Sequence, residues 1–283
     1  MEIKKIMVVG AGIMGSGIAQ VCVEHGFATV LTDVKEEYAR KGKENAAHFL
    51  ERKVQKQRMT EADKEKTLAL LETAEGYKKG ADADLVIEAA TENAEVKKQI
   101  FRDLDETCKA DAILASNTST ISISMLAGNT KRPCKVAGMH FFVPAPVMKL
   151  VEVTPGLLTE AETVDILMEF ARQIGKEPVK APDTSAFLVN RLLDPMWNEA
   201  MYLVMEGNRP EDIDKAMRLG ANHPMGPLEL ADYAGLDIVL AVMEQMQRDL
   251  GDKYKPCPLL RQMVQAGLLG RKTKRGFYDY SKL

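Results

Sequence analysis

The chain has little of what marks secreted, membrane or nucleic-acid-binding proteins. Its four cysteines, Cys22, Cys108, Cys134 and Cys257, are widely scattered, with no Cys-x-x-Cys pair and no grouping with histidine. Neither a disulfide framework nor a metal centre is therefore expected, and the thiols read as reduced. No apolar run approaches the roughly 20 residues a membrane span needs, and the first residues enter a strand pattern without a signal-peptide core. The expectation is a cytoplasmic protein with no membrane partner. A net charge of −3 argues against a nucleic-acid partner, so an anionic ligand has to be met by local basic clusters rather than a global field. Internal repeats and low-complexity segments are absent as well.

At 283 residues the chain is long enough for about two domains, each with a real apolar core. The most informative stretch lies at its start. Lys5 to Val9 is an Ile/Val-rich strand pattern that runs into Gly10-Ala11-Gly12-Ile13-Met14-Gly15 and then directly into a helix expected from Ser16 to His25. Glycines at this spacing let the backbone turn tightly and approach a pyrophosphate, whose charge sits at the positive end of the following helix. Gly10, Gly12, Ile13, Met14 and Gly15 are the candidate contacts. A second strand, Ala28 to Thr32, closes on Asp33, the position where an acid about 20 residues on binds a ribose diol. Asp33 would repel a 2′-phosphate, and no Arg follows it directly, which favours NAD over NADP.

The next strand-like run after Asp33 is Asp84 to Ala89, too far away for one connecting helix. The gap holds two helical patterns, Glu36 to Lys56 and Thr60 to Leu71, the second opened by a capping box with Asp63 in place of the usual Glu. A helical hairpin inserted into the nucleotide domain, at about residues 36–73, is the expectation. Its basic stretch Arg52 to Arg58 reads either as a solvated helix face or as a site for the phosphates of a large anionic substrate. Glu88 to Asn93 ends its strand at the edge where open parallel sheets bind ligands, which makes Glu92 and Lys97 candidates. Lys97 shares its helix, Ala94 to Cys108, with Lys98, and exposure is the alternative for either. After the strand Ala112 to Ser116, the run Asn117-Thr118-Ser119-Thr120 reads first as helix capping.

Of the four histidines, His25 and His48 sit in charged helical contexts, and His223 lies in the stiff loop Gly220 to Pro227 as an expected structural hydrogen-bonder. His140 is different. It belongs to one of two apolar segments flanking a Pro-rich connection, and folding these about Pro146 sets His140 and Glu152 six residues to either side. Glu152 is the only acid of the second segment. Cross-strand neighbours would hold imidazole and carboxylate together, fixing the tautomer and stabilising an imidazolium, as the acid/base step of an alcohol oxidation requires.

A helix from Glu160 to Ile174 and a strand from Glu177 to Lys180 complete the first domain, and Ala181 to Ser185 breaks the pattern. Beyond it only helices are expected, at about Phe187 to Glu206, Pro210 to Leu219, Leu228 to Leu250 and Pro258 to Ala266. The expected architecture is α/β: a Rossmann-type dinucleotide-binding domain over residues 1–184 with the hairpin insertion, then an all-helical domain over 185–283.

Four blocks, Gly10 to Gly17, Ala115 to Ser119, His140 to Glu152, and Asn190-Arg191 with Gly220 to Pro227, together with the terminal Gly-Phe-Tyr-Asp-Tyr, carry a resemblance along the whole chain. It resembles the L-3-hydroxyacyl-CoA dehydrogenases, and among them the short bacterial 3-hydroxybutyryl-CoA dehydrogenases. The resemblance implies that His140, Glu152, Ser119 and Asn190 surround the reacting carbon of an acyl-CoA, with Ser119 and Asn190 also contacting the substrate. It implies NAD as cofactor, a homodimer built through the helical domain, a four-carbon substrate and a role in butyrate fermentation. The nucleotide end of the substrate would lie near the hairpin, raising Lys53 and Lys56 as contacts. Two departures stand out: Val143 replaces the usual Asn of His-Phe-Phe-Asn-Pro, and Ser185-Ala186-Phe187 replaces Pro-Gly-Phe. The expectation is surviving chemistry with altered cofactor affinity or chain-length preference. The rivals are a dehydrogenase for a free hydroxy acid and an NAD-binding protein without turnover.

Overall fold

The computed structural model describes residues 1–282, which form two units, 1–183 and 184–282. The first unit is built on one sheet. Its strands are β1 (Lys5–Val9), β2 (Ala28–Asp33), β3 (Leu71–Glu75), β4 (Leu85–Glu88), β5 (Ile113–Ser116), β6 (Val136–Phe141), β7 (Leu150–Pro155) and β8 (Glu177–Lys180). They lie in the order β3-β2-β1-β4-β5-β6-β7-β8. Strands β1 to β6 run parallel; β7 is antiparallel to β6, and β8 is parallel to β7. The order reverses at β1, which makes the C-terminal ends of β1 and β4 the ligand-binding crevice of such a sheet. Apolar residues on both faces of β1, among them Ile6, Met7 and Val8, are fully buried, as a central parallel strand requires.

The helices of this unit are α1 (Ile13–Glu24), α2 (Glu36–Gln55), α3 (Glu61–Ala69), α4 (Ala94–Thr107), α5 (Ile123–Ala127) and α6 (Ala161–Gln173). Helix α1 starts three residues before the expected Ser16, so the glycine loop itself forms its first turn. Helices α2 and α3 form a hairpin joined by an ion pair from Lys64 to Glu51 at 2.6 Å. Thr60 caps α3 by accepting from the Asp63 N–H at 3.1 Å and donating its hydroxyl to the Asp63 carboxylate at 2.7 Å, a cap worth about 1 kcal/mol. The hairpin ends earlier than residue 73, because Leu71 to Glu75 pairs with β2 as an edge strand whose Glu72 and Glu75 are exposed. With so little apolar periodicity, Leu-Glu-Thr-Ala-Glu carries no strand signature of its own.

The second unit holds α7 (Val189–Met205), α8 (Pro210–Gly220), α9 (Pro227–Ala234), α10 (Leu236–Leu250) and α11 (Pro258–Gln265). The single helix expected over Leu228 to Leu250 is two, broken at Gly235, whose φ of +101° no helix accommodates. Trp197, Met201, Met243, Met246 and Leu260 form its core. The C-terminal tail is tied to α9 by Asp232, which accepts from the N–H groups of Phe277 and Tyr278 and from the Tyr280 hydroxyl.

Candidate active site

The glycine loop leaves β1 at the crevice. Gly10 has a φ of +96° and stands so close to β4 that an added Cβ would lie 2.7 Å from the Ala89 carbonyl oxygen; a Cβ on Gly15 would lie 1.7 Å from the Gly10 oxygen. Gly12 instead faces open space, and it caps α1 without a side-chain hydrogen bond. Main-chain N–H groups of the first turn are therefore presented to a ligand, with Ile13 exposed beside them, an arrangement that fits the pyrophosphate of a dinucleotide. Asp33, at the end of β2, accepts from the Ala11 N–H at 2.7 Å and from the Val34 N–H at 2.7 Å. These bonds hold its carboxylate against the loop, a placement that fits a ribose diol and disfavours a further phosphate.

At the end of β4 lies a network of acids and donors. Glu88 and Lys97 are fully buried and bonded at 2.7 and 2.8 Å, and Glu88 also accepts from Ser116 Oγ and the Ala90 N–H. Lys97 is thus neither exposed nor grouped with Lys98. Its ammonium also stands 3.5 Å from Glu92. Glu92 Oε1 receives the Thr118 hydroxyl at 2.5 Å, the Ser119 N–H at 3.0 Å and the Thr120 N–H and hydroxyl at 3.2 and 3.1 Å. Burial pushes the Glu92 carboxyl upward, yet Lys97 and these donors outweigh it and hold the group below the usual range. Thr118 to Thr120 therefore wrap a carboxylate rather than capping a helix; α5 is capped by Ser122 and by Asp183, which accepts from Ile123 and Ser124.

Strands β6 and β7 form the antiparallel ribbon expected about Pro146, and their register sets His140 opposite Glu152. His140 Nδ1 is 2.7 Å from Glu152 Oε2, and both side chains are buried. A carboxylate oxygen only accepts, so Nδ1 carries the hydrogen toward Glu152 and the ring is held in one orientation. Phe142 stacks tilted on the imidazole, with ring centroids 4.6 Å apart. Asn117 Oδ1 takes the Phe141 N–H at 2.9 Å, tying this end of β6 to the same loop that carries Ser119. Loop, network and ribbon all meet at the C-terminal edge of the parallel strands.

Asn190 lies in the first turn of α7, half-buried, in the second unit. Lys53, half-buried near the end of α2, is ion-paired with Glu24 of α1, and Lys56 follows as an exposed C-cap. Sequence reasoning missed Glu88 and Asn117. A charged residue closing an otherwise apolar strand was the available signal for Glu88; nothing local marks Asn117 as the partner of a strand 24 residues away. Among the described residues no group of His, Cys, Asp and Glu could hold a metal ion, and no helix is long and apolar enough to cross a membrane.

Residues 5–184 match the family described as 3-hydroxyacyl-CoA dehydrogenase, NAD binding domain, and residues 187–280 its C-terminal domain. The chain is 49% identical to a probable 3-hydroxybutyryl-CoA dehydrogenase of Bacillus subtilis, covering 100% of this chain and 99% of that protein. It is 47% identical to a 3-hydroxybutyryl-CoA dehydrogenase of Clostridioides difficile, covering 98% and 100%. The crystal structure of an (S)-3-hydroxybutyryl-CoA dehydrogenase from Ralstonia eutropha superimposes with a TM-score of 0.96 at 46% identity, over 99% of this chain and 100% of that one. With both domains of the family matched in order along the same sheet and helical unit, the chain belongs to the NAD-dependent 3-hydroxyacyl-CoA dehydrogenases.

Proposed function

We propose that the protein interconverts (S)-3-hydroxybutyryl-CoA and acetoacetyl-CoA, with His140 and Glu152 as its acid/base pair. The observation that carries this reading is the 2.7 Å contact between His140 Nδ1 and Glu152 Oε2, built into the register of one buried ribbon. NAD, held by the glycine loop and Asp33, would supply the hydride acceptor for oxidation at C3 and, as NADH, the donor for the reverse. His140 takes the C3 hydroxyl proton at Nε2 in oxidation and gives it back in reduction. Glu152 holds the imidazole in one tautomer and offsets the imidazolium charge. Ser119 and Asn190 hydrogen-bond the C3 oxygen or the thioester carbonyl, orienting C3 for hydride transfer.

In the same reading, the N–H groups from Gly12 to Gly15 receive the pyrophosphate and Asp33 a ribose diol. Glu92 and Lys97 support the cofactor from the end of β4. Lys53 and Lys56 meet the phosphates of coenzyme A, Lys53 by exchanging its partner Glu24 for phosphate. A homodimer through the helical unit, a cytoplasmic location and a part in butyrate fermentation complete the proposal. They rest on the family resemblance.

The test follows NADH absorbance with acetoacetyl-CoA, beside NADPH and beside free acetoacetate. Oxidation of NADH with the thioester alone is expected, and His140→Gln should lower kcat by about 10²–10⁴-fold while leaving NADH binding intact. Turnover retained in that variant removes His140 as the base, and activity on free acetoacetate alone favours a hydroxy-acid dehydrogenase.

A further inference from the structure

Lys176 follows α6 and directly precedes β8, and it is 7% exposed. Its ammonium donates to the carbonyl oxygens of Ala145 at 2.6 Å and Met148 at 2.9 Å. Both carbonyls belong to the segment 142–149 that joins β6 to β7. That segment is poor in bonds of its own: Pro144 and Pro146 bring no N–H, and its internal bonds run from the Val147 and Met148 N–H groups to the single carbonyl of Pro144. Burial lowers the Lys176 pKa, with Lys53 adding to the effect and Glu24 and Cys22 opposing it. Holding a charge here is costly.

Three connections make this lysine a bridge. Its main chain is fixed to the strand of Glu152, since β8 pairs Val179 with Glu152 and the Glu177 N–H donates to the Lys149 carbonyl at 2.9 Å. Its side chain holds the segment leading back to His140, which lies one pair in from the end of the ribbon that this segment closes. The same segment lies on α1, where a Cβ on Gly17 would meet Ala145 Cβ and Pro146 Cδ at 3.2 Å each. Lys176 therefore braces both strands of the His140–Glu152 ribbon at their connected end, where the segment 142–149 is seated on α1.

We propose that Lys176 is a positioning residue for hydride transfer, holding the segment 142–149 so that the His140–Glu152 pair stays aligned with the nicotinamide. This rests on the acid/base reading of that pair. Lys176 touches neither substrate nor cofactor and acts through the ribbon. A displacement of about 1 Å at a reacting group costs on the order of 10²-fold in rate, and loss of both carbonyl bonds frees the segment for shifts of that size.

Single-turnover oxidation of NADH by acetoacetyl-CoA, at high enzyme concentration, is measured for the wild type, Lys176→Met, His140→Gln and the double variant. NADH affinity is titrated by fluorescence, and thermal unfolding is recorded for each. Lys176→Met is expected to slow turnover about 10- to 100-fold while NADH affinity changes by less than about threefold. In the His140→Gln background it should slow turnover by no more than about twofold, because the group it aligns has gone. A merely structural role would lower the melting temperature and multiply the two losses. Wild-type turnover in Lys176→Met, or multiplicative losses in the double variant, overturns the proposal. Should Lys176→Met fail to fold, Lys176→Gln, which keeps an amide donor for one carbonyl, carries the same comparison. Full turnover in His140→Gln overturns the acid/base reading itself, and the role of Lys176 with it.

Discussion

Replacing Asp194 by Asn should stabilise the helical unit, and the gain should grow with pH. Asp194 lies in the second turn of α7 and is 3% exposed, and among the described residues only its own main-chain N–H steadies its carboxylate. Burial pushes its pKa up to about 8, with only its own main-chain N–H acting in the other direction. In the unfolded chain an aspartate titrates near 3.9. Between about pH 4 and 8 the native state therefore binds a proton that the unfolded state has released, so the unfolding free energy falls as pH rises through this window. At about 1.4 kcal/mol per unit, the loss is about 1–2 kcal/mol at pH 5 and about 5 kcal/mol at pH 8. Asparagine keeps the shape and does not titrate. The other ionisable groups cancel in the comparison, so the stability difference between Asp194→Asn and wild type should widen by about 4 kcal/mol from pH 5 to pH 8. Urea unfolding at pH 5, 6.5 and 8 measures it, followed by the fluorescence of the single Trp197, buried in the same helix three residues on. A constant difference across the three pH values would refute the reasoning, since it would mean that Asp194 is ionised in the folded protein.

Three further outcomes are expected. Lys97→Met strands the fully buried Glu88 carboxylate, so urea unfolding should show a loss of about 3–5 kcal/mol, part of which Glu88→Gln in the same background recovers; an unchanged midpoint would mean that the pair does not hold the end of β4. Gly15→Ala sets a methyl 1.7 Å from the Gly10 carbonyl oxygen, a main-chain atom, with the Val8 side chain at 3.5 Å. Overpacking of about 1–3 kcal/mol at the loop should weaken NADH binding about 10- to 100-fold by fluorescence titration, and native affinity would show that the loop opens at no cost. Val143 is half exposed in the Pro-rich segment, so Val143→Asn should leave the melting temperature unchanged and shift the KM for NADH or for the thioester; if neither moves, the position is silent.

What could be read from the chain alone was local or regular. The glycine spacing and Asp33 belong to one βαβ unit, and the main-chain contacts of Gly10 and Gly15 are made within that unit or against the adjoining strand. The opposition of His140 and Glu152 followed from arithmetic about Pro146, because an antiparallel ribbon joins residues close in sequence and its side-chain period leaves few registers. Helix limits followed from caps such as Thr60, to within a few residues.

Tertiary structure decided the rest. Leu71 to Glu75 became a strand because β2 offered an open edge, not because the segment has a strand pattern. One apolar period ran unbroken over Leu228 to Leu250, and Gly235 divided it. The environment of Lys97 depended on Glu88, nine residues away on another element, and that of Glu92 on donors 26 to 28 residues downstream. Lys176 reads as an ordinary lysine after a helix; only the return of β8 alongside β7 brings it under the carbonyls of Ala145 and Met148. Periodicity and turn chemistry specify elements through neighbours along the chain. The partners of a buried charge are chosen when the sheet order brings distant segments together, and no local pattern records that choice.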